Sequence, residues 1–411
     1  MTGLTALGFP LDAVRHRAIH GTAAIFPDPR SYGSAVYGQS RSEADALDRM
    51  RLVPPVLMPR RLDKLVELGR EPTYRDVDLA TDVGGFRSAA PVYVSALGSS
   101  SVAEPVALEL SRQAGAFGIP LVIGENLTAR GRYERLMARI ETYTAACPEG
   151  LGGVVVQQST EDADSELWNR LYSDPLVSTL LARGRLGFEL KVGQGAKPGL
   201  GGMTLLSVAD RAELEGRFLL EEVAADLLLR SATPGTFTEA ILRGQIRMMR
   251  NNFPRARTWV KFPPGRDVAV AARLAWECGA DAVTVDGAEA GTGWAPSAFL
   301  DHVGLPLAEC LARTRPGEDC LLASGRMWQG HRAVKSLALG ARAVGIGRAA
   351  VAAVDAAPED GLTSLLDCLG LEMRMLISAL GKYRPGQLDR DDIWMREPYA
   401  APDPLTGSEH D

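Results

Sequence analysis

An apolar run at residues 186–190 is followed by the sequence Lys191-Val192-Gly193-Gln194-Gly195-Ala196-Lys197-Pro198-Gly199-Leu200-Gly201-Gly202. A short apolar run of this kind predicts a buried strand. The five glycines after it predict a loop whose backbone can approach a ligand closely. The two lysines in the loop add positive charge. This stretch therefore predicts a buried strand that ends at an anion-binding loop.

Similar apolar runs recur along the chain, and most are followed by polar or glycine-rich residues and then by an amphipathic stretch. The eight runs cover residues 92–97, 121–124, 154–157, 186–192, 259–262, 282–286, 320–323 and 343–346. Strands that alternate with helices are typical of βα units and a parallel sheet. Eight such units predict an α/β fold, a (β/α)8 barrel of the TIM type.

The 411 residues leave room for more than a minimal barrel. We predict an N-terminal extension packed on the barrel (residues 1–85), the barrel itself (86–355), and a C-terminal helix and tail (356–411), with that helix at 362–380. The connection from 193 to 257 is too long for one plain βα loop. It predicts an insertion after strand four, helical near 219–230 and again near 239–250.

Composition argues against several classes of protein. The formal net charge of −6 is opposite to the basic surface that nucleic acids or anionic membranes require. No apolar stretch reaches the roughly 18 residues of a membrane span, and the first 20 residues lack the apolar core of a signal peptide. The five cysteines form no Cys-x-x-Cys pair, so neither zinc nor disulfides are predicted. A cytoplasmic location is expected.

Active sites of (β/α)8 barrels lie at the C-terminal ends of the strands. The candidate residues that follow the eight runs are Ser95; Glu125; Gln157 and Gln158; Lys191, Gln194 and Lys197; Lys261; Asp286, Glu289, Gly291 and Gly293; Ser324, Gly325 and Arg326; and Gly347 and Arg348. Together they predict a polar, glycine-rich and largely cationic mouth suited to an anionic ligand.

The ends of runs seven and eight share one pattern. Gly325–Arg326 and Gly347–Arg348 each place glycine beside arginine. Barrels commonly bind phosphate there, with loop amides and a helix N-terminus, and arginine adds bidentate contacts. The alternative is that two glycines begin helices beside two surface arginines.

The carboxylates at the predicted mouth leave alternatives open. Glu125 and Asp286 could each supply a proton or anchor a lysine. Glu289 is expected to be solvated or to face the substrate.

The order Lys-x-x-Gln-Gly-Ala-Lys-Pro-Gly-x-Gly-Gly of residues 191–202 resembles the signature of the FMN-binding glutamate synthase domain family. Residues 91–98, 286–293 and 323–350 resemble further blocks of that family. The resemblance implies a flavoprotein oxidoreductase that binds FMN. It also implies hydride transfer at flavin N5 with an amino acid, 2-oxo acid or 2-imino acid, in amino acid metabolism.

The resemblance also implies roles for individual residues. Ser95, Gln157, Lys261, Gly325 and Gly347 would contact FMN, and we place Asp286, Gly291, Gly293, Ser324, Arg326 and Arg348 in the same cofactor pocket. Lys191 and Lys197 would act in catalysis with Glu125, and Gln194, Gln158 and Glu289 would bind substrate. Lys261 would face N1/O2 of the flavin, where positive charge stabilises a reduced ring. A salt bridge inside the barrel is the alternative for this lysine.

The sequence departs from the family pattern in ways that affect the expected cofactors and partner proteins. The three clustered cysteines that bind the family's iron–sulfur cluster are missing, so no cluster is expected. No glutaminase domain or dinucleotide-binding fingerprint is seen, so an electron-donating or ammonia-supplying partner protein is expected. Two alternatives follow: an FMN subunit of a multi-chain N-methylglutamate or glutamate synthase-like complex, and a ligand-binding barrel without turnover. Homo-oligomerisation is left open.

Overall fold

A computed structural model describes residues 4, 9–25, 45–97, 103–124, 132–159, 166–193, 195, 199, 203–216, 218–231, 235–291 and 297–395. Its strands, in chain order, are β1 Arg51–Leu52, β2 Thr81–Val83, β3 Phe86–Ser88, β4 Val92–Leu97, β5 Leu121–Ile123, β6 Val154–Ser159, β7 Leu186–Lys191, β8 Met203–Ser207, β9 Leu219–Ala224, β10 Leu227–Ser231, β11 Arg257–Phe262, β12 Ala282–Asp286, β13 Leu321–Ser324, β14 Ala343–Ile346 and β15 Ile393–Trp394.

The α-helices of the same residues surround the strands. They are α1 Leu11–His20, α2 Ala46–Arg49, α3 Pro59–Leu68, α4 Ala107–Phe117, α5 Arg132–Ala146, α6 Leu167–Tyr172, α7 Ser178–Ala182, α8 Arg211–Leu214, α9 Glu239–Asn252, α10 Val268–Glu277, α11 Ser297–His302, α12 Leu307–Arg313, α13 Gly330–Ala338, α14 Arg348–Ala356 and α15 Gly361–Ala379. Within the described part of the chain, none of them is long and apolar enough to cross a membrane.

Eight parallel strands close into a barrel in the order β4-β5-β6-β7-β11-β12-β13-β14, with β14 pairing back to β4. All eight predicted apolar runs form barrel strands, with ends that differ from the prediction by only a few residues. The predicted (β/α)8 barrel is therefore confirmed. The main apolar core lies between the outer faces of these strands and the surrounding helices.

A second apolar cluster fills the lower, N-terminal half of the barrel interior. It consists of Val83, Phe86, Tyr93, Val122, Val155, Trp259, Ala282, Leu322 and Ala343. The antiparallel hairpin β2–β3 supplies the first two of these and closes this end. The indole N–H of Trp259 donates to the carbonyl of Gly84 in the hairpin turn (3.0 Å). The lower barrel is thus a packed plug, and a ligand has room only at the opposite end.

The insertion after the fourth barrel strand differs in part from the prediction. The helix predicted at 239–250 is confirmed as α9. The helix predicted at 219–230 is wrong, because these residues form β9 and β10, an antiparallel hairpin extended by β8 into a three-stranded sheet. The backbone of β8 supplies hydrogen bonds along the free edge of β10, and such a partner outweighs local helix propensity.

The N-terminal segment packs on the C-terminal helix. Helix α1 lies against α14 and α15. Arg17 of α1 forms a bidentate ion pair with Glu372 of α15 (2.9 and 2.6 Å), and Arg15 contacts Asp355 (3.2 Å). The predicted helix at 362–380 is confirmed as α15. The domain boundaries at residues 85 and 355 stay a prediction.

Candidate active site

Polar side chains replace apolar ones in the upper, C-terminal half of the barrel interior. The buried polar residues of this layer are Ser95, Gln157, Glu189, Lys261, Thr284, Asp286 and Ser324. Side chains alternate between the two faces of a strand, so Lys261 lies one inward position above the plug residue Trp259 on β11. The same strands therefore build an apolar floor and a polar site above it.

Lys261 is held in this layer by an ion pair. The amino group of Lys261 lies 3.1 Å from Asp286 Oδ2, and the two side chains are 9% and 1% exposed. The same oxygen accepts a hydrogen bond from the backbone N–H of Gly195 (3.1 Å). Among the described residues, Asp286 Oδ1 is buried without a hydrogen-bond partner. Of the two roles considered for Asp286, the geometry matches the lysine anchor.

A second carboxylate, Glu189, lies in the same layer and was missed by the sequence analysis. Its Oε2 accepts from the Gln157 amide nitrogen (2.5 Å) and its Oε1 from the Thr284 hydroxyl (2.7 Å). Burial raises the pKa of Glu189, and the positive charge of Lys261 opposes that rise. The available signal was a carboxylate inside an apolar run, two residues before Lys191 and therefore on the same face of the strand.

Serines line the side of the barrel where β4, β13 and β14 meet. The hydroxyls of Ser95 and Ser324 lie 3.2 Å apart. Gly345 of β14 lies between Ser324 of β13 and Tyr93 of β4 in the register of the sheet. A Cβ atom at Gly345 would collide with the Ser95 hydroxyl. Glycine at this position thus lets the hydroxyls approach the neighbouring strand.

The predicted phosphate-binding corner has the expected backbone but only part of the expected charge. Gly325 and Arg326 both have positive φ (156° and 51°) and form the turn after β13. Gly347 begins α14, and a Cβ atom there would find nothing closer than 3.8 Å. Unsatisfied amides at such a helix start favour an anion.

The two arginines of that corner are directed elsewhere. Arg348, predicted in the cofactor pocket, instead donates to the carbonyl of Leu4 (3.2 Å) and lies over the ring of Phe9. The guanidinium of Arg326 lies over the Trp328 ring, 5.2 Å from its centroid. Loop amides, rather than Arg348, are therefore the donors that this corner offers to a phosphate.

Glu289 is placed differently from the sequence expectation. Its carboxylate accepts from the backbone N–H of Leu307 (3.0 and 3.2 Å), the first residue of α12. A carboxylate at a helix start satisfies an exposed amide and complements the helix dipole. Burial raises the pKa of Glu289. The described geometry is that of a helix cap, not of a substrate ligand.

The remaining predicted site residues divide into described and undescribed positions. Lys191 ends β7 and is half-buried at the mouth, and Gly291 is exposed in the loop after β12. Gln158 is buried next to Gln157, but strand alternation turns its side chain to the opposite face. Glu125, Gln194, Lys197 and Gly293 lie outside the described residues. Over the described ranges, no cluster of three or more His, Cys, Asp or Glu side chains is arranged to hold a metal.

Comparison with known proteins locates the family resemblance. Residues 179–357 match the model of the conserved region in glutamate synthase. The archaeal glutamate synthase [NADPH] of Methanocaldococcus jannaschii is 31% identical over 211 residues, which cover 44% of this chain and 39% of that protein. The corresponding protein of Archaeoglobus fulgidus is 27% identical over 72% of this chain and 54% of its own length. The aligned region thus spans roughly two fifths to half of these relatives.

Solved structures share the barrel. A flavocytochrome b2 variant with sulfite bound aligns with a TM-score of 0.58 at 20% identity, covering 87% of this chain and 80% of that one. A variant of the (S)-mandelate dehydrogenase from Pseudomonas putida aligns with a TM-score of 0.55 at 20% identity, covering 94% and 99%. At such identities the likeness is one of fold.

The sequence match covers the part of the chain that carries most of the candidate site. The matched region contains β7 and β11 to β14, the strands that bear Glu189, Lys261, Thr284, Asp286 and Ser324. Residues 179–357 are therefore similar to the conserved region of glutamate synthase, which is the resemblance that the sequence motifs indicated.

Proposed function

We propose that the protein is an FMN-dependent oxidoreductase that acts on an amino acid or on a 2-oxo or 2-imino acid. The observation that carries the proposal is the polar layer above the apolar plug, with Lys261 anchored by Asp286 at its centre. Barrels bind ligands at this end of the strands, and a lysine held there offers positive charge to an anionic ligand. The similarity of residues 179–357 to the conserved region in glutamate synthase supports the same cofactor.

The residues present fit an FMN. Lys261 would hold the ring by its positive charge, with Gln157, Ser95 and Ser324 as further polar contacts. The amides after Gly325 and Gly347 would bind the phosphate, since the space beside Gly347 is open. Asp286 Oδ1, buried and without a partner among the described residues, is an acceptor that a ligand donor can satisfy. When bound, FMN supplies hydride exchange at its N5 atom.

The chain's own residues would do the rest. The plug excludes water from below, because Phe86 and Trp259 fill the barrel axis. The Lys261 charge stabilises negative charge that develops on the ligand above it. Lys191, with Lys197, would bind the substrate carboxylate. Glu125 stays the predicted proton donor.

The first test is the visible spectrum of protein reconstituted with FMN, followed by anaerobic addition of candidate amino acids. We expect a flavin spectrum that one of them bleaches. In parallel, Lys261→Met should weaken FMN binding at least about tenfold, the loss expected for one charge-assisted contact. Lys382→Met is a matched control, because Lys382 is equally buried and paired with Asp392 (2.6 Å) away from the barrel mouth.

The outcomes separate the proposals. A protein that binds no FMN contradicts the cofactor assignment and favours a ligand-binding barrel. Bound FMN that no amino acid bleaches, but that a reductase partner reduces, favours a synthase-like subunit. That second candidate is supported by a glutamate synthase large subunit-like protein of Rhizobium meliloti, 33% identical over 40% of this chain and 39% of its own length.

A further inference from the structure

The polar layer contains one carboxylate more than the ion pair needs. Asp286 anchors Lys261, whereas Glu189 accepts hydrogen bonds from two neutral donors. Both of these donors come from other strands: Gln157 from β6, which neighbours β7, and Thr284 from β12, which is separated from β7 by β11. A carboxylate that is 1% exposed is costly to bury unless it is hydrogen-bonded, so the two donors are what makes Glu189 tolerable here.

The contact between Glu189 and Gln157 determines the orientation of the Gln157 carboxamide. An ionised carboxylate can only accept hydrogen bonds, whereas a carboxamide has a donor end and an acceptor end. Since Glu189 also accepts from Thr284, both of its oxygens are engaged as acceptors. The Gln157 amide nitrogen must therefore face Glu189, and its carbonyl oxygen must face away.

We infer that Glu189 is a positioning residue that holds the Gln157 carboxamide in one of its two orientations, so that Gln157 offers an acceptor to a ligand in the barrel mouth. The inference rests on the proposed function in that the ligand is taken to be FMN. An acceptor at this position selects an N–H group on the ligand ring. If the Gln157 amide were reversed, its N–H group would face the N–H group of the ligand, and two donors would then meet.

Replacement of Glu189 by glutamine removes the preference for one orientation while keeping the size of the side chain. The new amide has one donor and one acceptor end, so Gln157 can pair with it either way round. Half of the possible arrangements then turn the wrong end of Gln157 toward the ligand. The charges that face this position from other strands, Lys261 and Asp286, stay in place.

The experiment is a double-mutant cycle on FMN affinity, measured by fluorescence titration of the full chain. Glu189→Gln should raise the Kd for FMN about tenfold, the effect of one mismatched buried hydrogen bond. In the Gln157→Leu background the same substitution should change Kd less than about twofold, because no amide remains to be oriented. The absorption maximum of bound FMN should also shift in Glu189→Gln but not further in the double variant.

Glu109→Gln is the control. Glu109 of α4 is half-buried and accepts from the amide of the buried Gln113 (2.9 Å), so it is a carboxylate–glutamine pair outside the barrel. It should leave Kd and spectrum unchanged. If Glu189→Gln does not fold, Glu189→Leu serves in its place, since it removes the carboxylate acceptor that holds the Gln157 amide nitrogen.

The outcomes are distinguishable from those of the proposed function. If wild-type protein binds FMN and Glu189→Gln changes Kd equally with Gln157 and with Gln157→Leu, the positioning role alone is overturned. An unchanged Kd in Glu189→Gln overturns it too. Wild-type protein without FMN affinity overturns the proposed function and this inference together.

Discussion

Replacing Lys261 with methionine should destabilise the fold strongly, because it leaves the Asp286 carboxylate buried without its counter-ion. Asp286 is 1% exposed and would keep the hydrogen bond from the Gly195 amide (3.1 Å). Glu189, a second carboxylate, lies close enough for its charge to be felt by the same groups. Methionine matches the length of the lysine stem, so packing changes little.

The magnitude follows from the geometry of the pair. Two unit charges 3.1 Å apart attract by about 5 kcal/mol at the effective dielectric constant of about 20 that suits protein sites. Removing one partner of a buried pair typically costs about 3–5 kcal/mol, because the other charge stays desolvated. We therefore expect Lys261→Met to lower the free energy of unfolding by about 3–5 kcal/mol.

The assay is urea unfolding of the wild type, Lys261→Met, Asp286→Asn and the double variant at neutral pH. The double variant should recover at least about 2 kcal/mol relative to the sum of the single losses, since it removes both charges. Lys382→Met breaks a comparable pair, at 2.6 Å and 9% and 5% exposure, and should cost a similar amount. A loss below about 1 kcal/mol for Lys261→Met, or additive losses in the double variant, would refute the reasoning.

Three further outcomes are expected in unfolding experiments. Phe86→Ala should lower the free energy of unfolding by about 3–5 kcal/mol, because it opens a cavity in the barrel plug. Leu62→Ala, at a side chain that is 61% exposed, should lower it by less than about 1 kcal/mol. Equal losses would contradict the packing of Phe86 in the plug. Burial raises the pKa of Glu289. The free energy of unfolding of the wild type should therefore fall relative to that of Glu289→Gln as pH rises through that pKa, because the glutamine does not ionise and still accepts from Leu307. The same pH dependence in both proteins would contradict this. Burial lowers the pKa of His331 from 6.5 to about 4, so the free energy of unfolding should fall as pH decreases between these values. Urea midpoints measured across this pH range should depend less on pH in His331→Asn than in the wild type.

The barrel was predictable because its strands are buried on both faces. Each gives a short continuous apolar run, and the turn residues between them mark the βα units. The hairpin at β9 and β10 was not predictable in the same way, since the leucines of 219–229 suit either a helix or a strand. What decides the conformation is the backbone edge of β8, which pairs with β10 between residues 20 to 28 positions apart in the chain.

The site was predictable at the level of position and less so at the level of contact. Active sites of barrels lie at the C-terminal ends of the strands, and this rule correctly predicted one shared layer for Ser95, Gln157, Lys261, Asp286 and Ser324. It could not say which way a long side chain turns. Arg348 reaches back to the carbonyl of Leu4, and Glu289 reaches the start of α12, because each finds a partner that only the folded chain brings near.

The two halves of the barrel interior depend on each other. A polar layer that holds Lys261, Asp286 and Glu189 is costly to bury, and its hydrogen bonds recover that cost only if water is kept out and the geometry stays fixed. The plug below supplies both conditions, because Trp259 sits one inward position beneath Lys261 and is itself tied to the hairpin through Gly84. A weakened plug should therefore loosen the polar layer as well as the fold, and Phe86→Ala should lower ligand affinity as well as stability, although Phe86 belongs to the opposite end of the barrel.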